Sequence, residues 1–387
     1  MKLLKLSTII CISLPILLTS CSHKKEKKTG ETISLEEKVG QMIMVGFRGT
    51  AINKNDAIYK MIGDHHIGGV VLYSRDLPSR ENLERNVTSP SQLKKLNQDL
   101  QAIDSTKLLI SIDEEGGLVT RLSSENGFQH HESHQVIGQL NKPDSTKSWA
   151  KKMAEELASL GINMNFGPVM DININPENPI IGMRERSFSD SVGIVIDNSR
   201  IFIEEHINQG VLCVPKHFPG HGSSKNDTHR GMADVTQTWD KSELTPYKTL
   251  VDEGLLEVIM TSHVFNEKLD TLPSTLSPKI IDSLLRKNFG FNGVIISDDM
   301  QMRAISNFYD FETAIEKAIN AGVDVLLFSN NAAPCPDDEN NCEEIPFDPE
   351  IGKKAIDHIL KLVKTGKISE KRIEQSYGRI RKLKENL

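Results

Sequence analysis

Four short segments hold residue types that can do chemistry. Asp113-Glu114-Glu115-Gly116-Gly117 sets three carboxylates before a glycine turn, with Arg121 four residues further on. Lys216–Gly222 reads KHFPGHG and puts an ammonium beside an imidazole. Asp227-Thr228-His229 places a carboxylate two residues from another imidazole, and Ser297-Asp298-Asp299-Met300 joins two carboxylates. An imidazole near pKa 6.5 can both give and take a proton at neutral pH. A neighbouring carboxylate orients such a ring and stabilises its cation. Successive side chains of an extended chain point to opposite faces, so only one of Asp298 and Asp299 can face a given site. These are parts for acid–base and nucleophilic chemistry.

Something must bring segments far apart in sequence together. Short apolar runs occur at Met42–Phe47, Gly69–Tyr73, Leu108–Asp113, Ile162–Phe166, Val211–Pro215, Val258–His263, Val294–Asp298 and Val323–Phe328. Most are nearly continuous rather than alternating, as in strands covered on both faces of a parallel sheet. Amphipathic helical stretches lie between them. One starts near Ser91, a candidate N-cap; Lys147–Leu160 stops at Gly161. Ile194–Asn208, Lys241–Glu253, Pro278–Asn288 and Phe311–Asn320 behave likewise, and Gly210, Gly254, Gly290 and Gly322 each precede the next strand. Residues 350–387 give two helices broken at Gly366. The expected fold is α/β, a single-domain (β/α)8 TIM-type barrel over residues 32–387. A doubly wound open sheet is the alternative, since periodicity does not show closure. A barrel puts its chemistry at the C-terminal ends of its strands. Asp113, Lys216-His217, His263 and Asp298-Asp299 all stand at or just past such ends.

The 387 residues are 38% hydrophobic and 26% charged, a core-forming composition that excludes a multi-span membrane protein and a mostly disordered chain. A net charge of -7 leaves no basic excess for a nucleic-acid surface. Residues 1–20 carry Lys2 and Lys5 ahead of an apolar stretch, and Leu18-Thr19-Ser20-Cys21 resembles a bacterial lipoprotein cleavage site. The expectation is a signal peptide over 1–20, lipid on Cys21, and a flexible tether over 21–31. The protein would then be exported and held at a cell or outer membrane by its N-terminal lipid. In an oxidising compartment Cys335 and Cys342 could close a small disulfide loop. Cys213, in an apolar run, reads as a buried free thiol. His65-His66 and His130-His131-x-x-His134 match no zinc spacing and read as solvated loop histidines, so no metal is expected. His263 could line a site or be a satisfied core residue.

Together DEEGGLVTR, KHFPGHG and SDDM, in this order between about Leu35 and Phe328, resemble glycoside hydrolase family 3, in particular its β-N-acetylglucosaminidase branch. The resemblance implies a retaining enzyme with a covalent glycosyl-enzyme intermediate and no cofactor. It assigns Asp298 as nucleophile and Asp227-x-His229 as the acid/base dyad, and leaves Asp299 a supporting role. Asp113, Arg121, Arg186, Lys216 and His217 would hold the sugar. The family's Arg-Ser-Phe follows closely on Asn-Pro-Ile-Ile-Gly; here Met183-Arg184-Glu185 intervene, so Arg184 competes with Arg186 for the sugar contact. The implied substrate is an oligosaccharide with terminal β-linked N-acetylglucosamine, from peptidoglycan fragments or chitin-type chains, with no obligate protein partner. A family β-glucosidase, a phosphorolytic variant and an inactive sugar-binding lipoprotein are the rivals.

Overall fold

The structure, a computed structural model, describes residues 33–81, 83–335 and 342–387. The expected signal peptide (1–20), the tether (21–31) and Cys21 lie outside the described residues. No described helix is long and apolar enough to cross a membrane.

Eight short strands line up with the eight apolar runs: β1 (Ile43–Gly46), β2 (Gly69–Leu72), β3 (Leu109–Ile112), β4 (Met164–Asn165), β5 (Leu212–Cys213), β6 (Val258–Met260), β7 (Val294–Ile296) and β8 (Leu326–Phe328). Every residue in them is buried, which is why they read as continuous apolar runs. Six pair in parallel in the order β8-β1-β2-β3-β4-β5, and β6 pairs with β7. Two isolated parallel bridges join these ladders, Phe218↔Thr261 beyond β5 and Ile296↔Val325 before β8. Phe218 N–H donates to Met260 O at 2.9 Å and Ser297 N–H to Val325 O at 2.9 Å. Both seams are therefore bonded, and the sheet is a closed ring rather than an open doubly wound sheet.

β4 and β5 are short because proline cannot donate to a ladder, and Pro168 and Pro215 interrupt them. Pairing resumes one step later at Val169↔Lys216, with Met170 N–H on Lys216 O at 2.7 Å. This second stretch carries Lys216 and Asp171 onto the C-terminal rim.

The helices bury one stripe each against the ring. Ile351–Lys364 turns Ile351, Ala355, Ile356, Ile359 and Leu362 inward, each isoleucine stabilising by about 1.5–3 kcal/mol. The helix expected near Ser91 runs Pro90–Gln101, and its N-cap is Ser89, not Ser91: the Ser89 hydroxyl accepts from Gln92 N–H at 3.3 Å. Pro90 explains the shift. It favours an extended residue before it and suits the first helical position, where no N–H is needed. The helix read as starting at Lys147 begins at Pro143 for the same reason. Gly322 ends Phe311–Ala321 at φ +119°, where an added Cβ would stand 3.0 Å from Ile281 Cγ2.

Candidate functional site

The C-terminal ends of the strands surround a cavity of about 1350 Å³. It is lined, among others, by Asp113, Arg121, Arg186, Lys216, His217, Asp227, His229 and Asp298, so side chains from every one of the four segments meet there. The volume exceeds the ~300–1,000 Å³ of ordinary ligand pockets.

The floor is a charge lattice. Lys216 Nζ donates to Asp113 Oδ1 and Glu115 Oε1, both at 2.7 Å. Arg186 grips Glu115 with two parallel bonds, Nε to Oε2 at 2.7 Å and Nη2 to Oε1 at 2.9 Å. Arg121 reaches Asp113 Oδ2 at 3.3 Å. Burial opposes the charge on Glu115, yet Arg186 and Lys216 overcome it and hold the carboxyl well below its usual range. Asp113 is treated alike: burial raises it, Lys216 and Arg121 outweigh that, and its pKa is lowered. Charges this buried persist only when paired. Asp113 keeps some exposure toward the cavity; Glu115 does not.

His217 stands on Asp171. Its Nδ1–H donates to Asp171 Oδ2 at 2.6 Å, while Asp171 Oδ1 accepts His221 N–H at 2.8 Å. That bond leaves Nε2 as an acceptor, and Arg186 Nη2 lies 3.3 Å from it. The Lys216–His217 peptide is cis.

Asp298 follows β7 directly. Its Oδ1 accepts from Asp299 N–H at 2.8 Å. Burial raises its pKa, but His263, His217 and His229 reverse this, and the carboxyl sits below its ordinary value. The Asp299 carboxylate is engaged elsewhere: it accepts Ser329 N–H at 2.9 Å and Gln301 N–H at 3.1 Å. It fastens β7 to the end of β8. His263 is buried, its ring held between Thr275 Oγ1 (2.8 Å) and Asp299 O (2.9 Å). It is a satisfied core histidine that anchors the backbone beside Asp298.

The dyad overhangs the cavity. Asp227 Oδ1 accepts both His229 N–H and the His229 ring Nδ1, each at 2.8 Å. The His229 side chain is 54% exposed. Desolvation in the cleft disfavours its cation, but Asp227, and Asp298 beyond it, prevail and raise its pKa. Below it the loop is packed tightly. Glu243 Oε2 accepts Gly222 N–H at 2.8 Å, and a Cβ on Gly220, at φ +118°, would collide with the Glu243 side chain.

The inserted turn leaves Arg186 inside, on Glu115. Arg184 ends a turn of helix at Gly182–Arg184 and is exposed at the mouth. Cys335 and Cys342 form a disulfide on the opposite rim, where Arg303 Nη2 lies 3.1 Å from Cys335 Sγ. Cys213 is a buried free thiol. His131 and His134 are not solvated as the sequence suggested: His131 pairs with Glu156, and His134 is packed among Trp149, Phe188 and Phe202. Among the described residues no cluster of histidine, cysteine and carboxylate ligands could hold a metal. Glu115, Asp171 and Tyr73 have no role assignable from the sequence alone. Each stands at or near the end of a strand or its extension, and that position was the available signal.

A family profile described as the glycosyl hydrolase family 3 N-terminal domain matches residues 34–383. A beta-hexosaminidase of Nitrosomonas eutropha is 30% identical over 298 residues, covering 75% of this chain and 80% of that one. That of Tolumonas auensis is 33% identical over 274 residues, 69% of this chain and 77% of its own. Among solved structures, a family 3 beta-N-acetylglucosaminidase from a Paenibacillus species superimposes with a TM-score of 0.80 at 34% identity; the match covers 92% of this chain and 63% of that longer one. A beta-N-acetylhexosaminidase from Beutenbergia cavernae gives 0.78 at 26% identity over 92% and 99% of the two chains. The chain belongs to glycosyl hydrolase family 3, among its beta-hexosaminidases.

Proposed function

We propose that this glycosidase is a retaining exo-β-N-acetylglucosaminidase. The observation that carries the reading is the joint presence, in one cavity, of the strand-end carboxylate of Asp298 and the His229 imidazole, held at 2.8 Å by its own carboxylate, Asp227. Asp298 attacks the anomeric carbon while His229, its Nδ1 on Asp227, gives the Nε2 proton to the departing oxygen. Asp227 stabilises the imidazolium before transfer and keeps the tautomer that presents Nε2. In the second step neutral His229 takes a proton from water, which displaces Asp298 from the sugar. The lattice of Asp113, Glu115, Arg186, Lys216 and Arg121 closes the cavity floor, which favours a chain-terminal sugar. Its donors and acceptors are already aimed, so they bind hydroxyls with little reorganisation.

N-acetylglucosamine is the sugar that the hexosaminidase relatives support. Peptidoglycan fragments or chitin-type chains are the pool for an exported enzyme. Export is our reading of residues 1–31, with lipid on Cys21; the Cys335–Cys342 disulfide suits an oxidising compartment. Turnover of 4-nitrophenyl β-N-acetylglucosaminide against the matching β-glucoside tests the substrate. Preference for the glucoside refutes it. Mass analysis of the mature N-terminus tests the anchor, which an unmodified Met1 or Ser22 would exclude.

A further inference from the structure

Tyr73 follows β2 and lines the cavity. β2 and β3 pair in parallel with Leu72 opposite Ile112, so Tyr73 and Asp113 are the next pair in register. Register partners on neighbouring parallel strands point to the same face of the sheet. Tyr73 therefore points with Asp113 toward the mouth of the barrel. Two guanidiniums fix its ring. Arg121 lies 5.4 Å from the ring centroid and Arg85 lies 5.7 Å from it. Arg85 is itself immobilised by bonds to Phe47 O, Asp76, Asn331 and Asn330 O. The Tyr73 backbone is clamped in both directions by Asn86. What remains is the phenolic hydroxyl. No described residue hydrogen-bonds to it, and it opens into the cavity that Tyr73 lines. Burial, with Asp113 and Asp299 nearby, pushes its pKa up, which keeps it a neutral donor.

Its place in the ring identifies what it would meet. Around an eight-stranded barrel β3 lies diametrically opposite β7. In a pyranose the atom opposite C1 is C4. A sugar with C1 over Asp298, at the end of β7, turns C4 toward the ends of β3 and β2. We infer that Tyr73 is a specificity-determining residue that donates its hydroxyl hydrogen to the 4-hydroxyl of the bound sugar, alongside Asp113 as acceptor, and so selects the equatorial configuration at C4. The inference rests on reading the cavity as an N-acetylhexosaminide site.

A site that has aimed a hydroxyl at a substrate hydroxyl is left with an unpaired group when that hydroxyl is removed. The test crosses Tyr73→Phe with four aryl substrates: the β-N-acetylglucosaminide, its 4-deoxy and 6-deoxy analogues and its 4-epimer. Phenylalanine keeps the ring and its two arginine contacts. Tyr73→Phe is expected to lower kcat/KM on the parent about tenfold. On the 4-deoxy substrate the loss should be less than twofold, and the parent's advantage over the 4-epimer should shrink about tenfold. Equal losses on parent and 4-deoxy substrates, no loss on either, or coupling with a 6-deoxy analogue instead would overturn the assignment. Wild-type enzyme inert toward the parent would defeat the hexosaminidase reading itself, an outcome distinct from these.

Discussion

Replacing Glu243 by glutamine isolates one buried carboxyl. Glu243 is 1% exposed and lies beneath the loop that carries the Asp227–His229 dyad. Burial, with the charge of Asp171 nearby, pushes its pKa up to about 8, against the bond from Gly222 N–H that pulls the other way. An acid whose folded pKa exceeds its unfolded value of 4.5 is most favourable to folding below pH 4.5. That stability is lost as pH rises toward 8, because the folded state resists giving up the proton. At pH 7 the loss spans about 2.5 pH units at ~1.36 kcal/mol each, or about 3 kcal/mol. Glutamine keeps the shape and the acceptor for Gly222 N–H, and it does not titrate. With an unfolding entropy of ~2.1 cal/mol/K per residue, 3 kcal/mol is about 4 °C in Tm for a barrel of this size. The assay is thermal unfolding of both proteins from pH 4.5 to 8. Glu114, raised to about 7, titrates in both and cancels. The curves should meet near pH 4.5 and diverge to about 4 °C at pH 7, the variant being the more stable. Parallel curves, or a variant less stable at pH 7, would contradict a raised pKa for Glu243 in the folded protein.

His229→Ala should cut kcat/KM on oligosaccharides by about 10²–10⁴ while sparing aryl glycosides with acidic leaving groups, which need little protonation; equal losses on both would make His229 a binding residue. Asp227→Asn removes the partner that raises the His229 pKa, so the alkaline limb of the kcat/KM profile should move to lower pH. An unmoved limb contradicts the dyad. Arg186→Lys breaks the two-bond grip on Glu115 and should raise KM at least tenfold, whereas Arg184→Ala at the exposed mouth should change KM on small aryl substrates by less than threefold. The reverse order would give Arg184 the sugar contact.

The eight strands were legible because each is buried, so that most are written as nearly continuous apolar runs. Asp113, Lys216 and Asp298 were legible because a charged residue ending such a run has one sensible place in a barrel. Glu115 and Asp171 were not, because their importance lies in side-chain direction. Glu114 and Glu115 are neighbours, yet one braces the turn through Thr120 and Arg121 N–H while the other binds Arg186 and Lys216. Asp171 gains its role from the resumed pairing after Pro168, which periodicity does not reveal. Closure of the ring depends on two single bridges at Phe218 and Ile296, too short to leave a pattern. The cap at Ser89 was missed because the effect of Pro90 on the residue before it outweighs the propensity of Ser91.

The central claim is that Asp298 forms a covalent bond to the anomeric carbon. Incubation with a slow fluorinated aryl N-acetylglucosaminide, followed by peptide mapping by mass spectrometry, tests it directly. One glycosyl ester per chain is expected, on Asp298 in the peptide that follows β7. A label on Asp299 or Asp113, or turnover with no covalent species at any time, would contradict it.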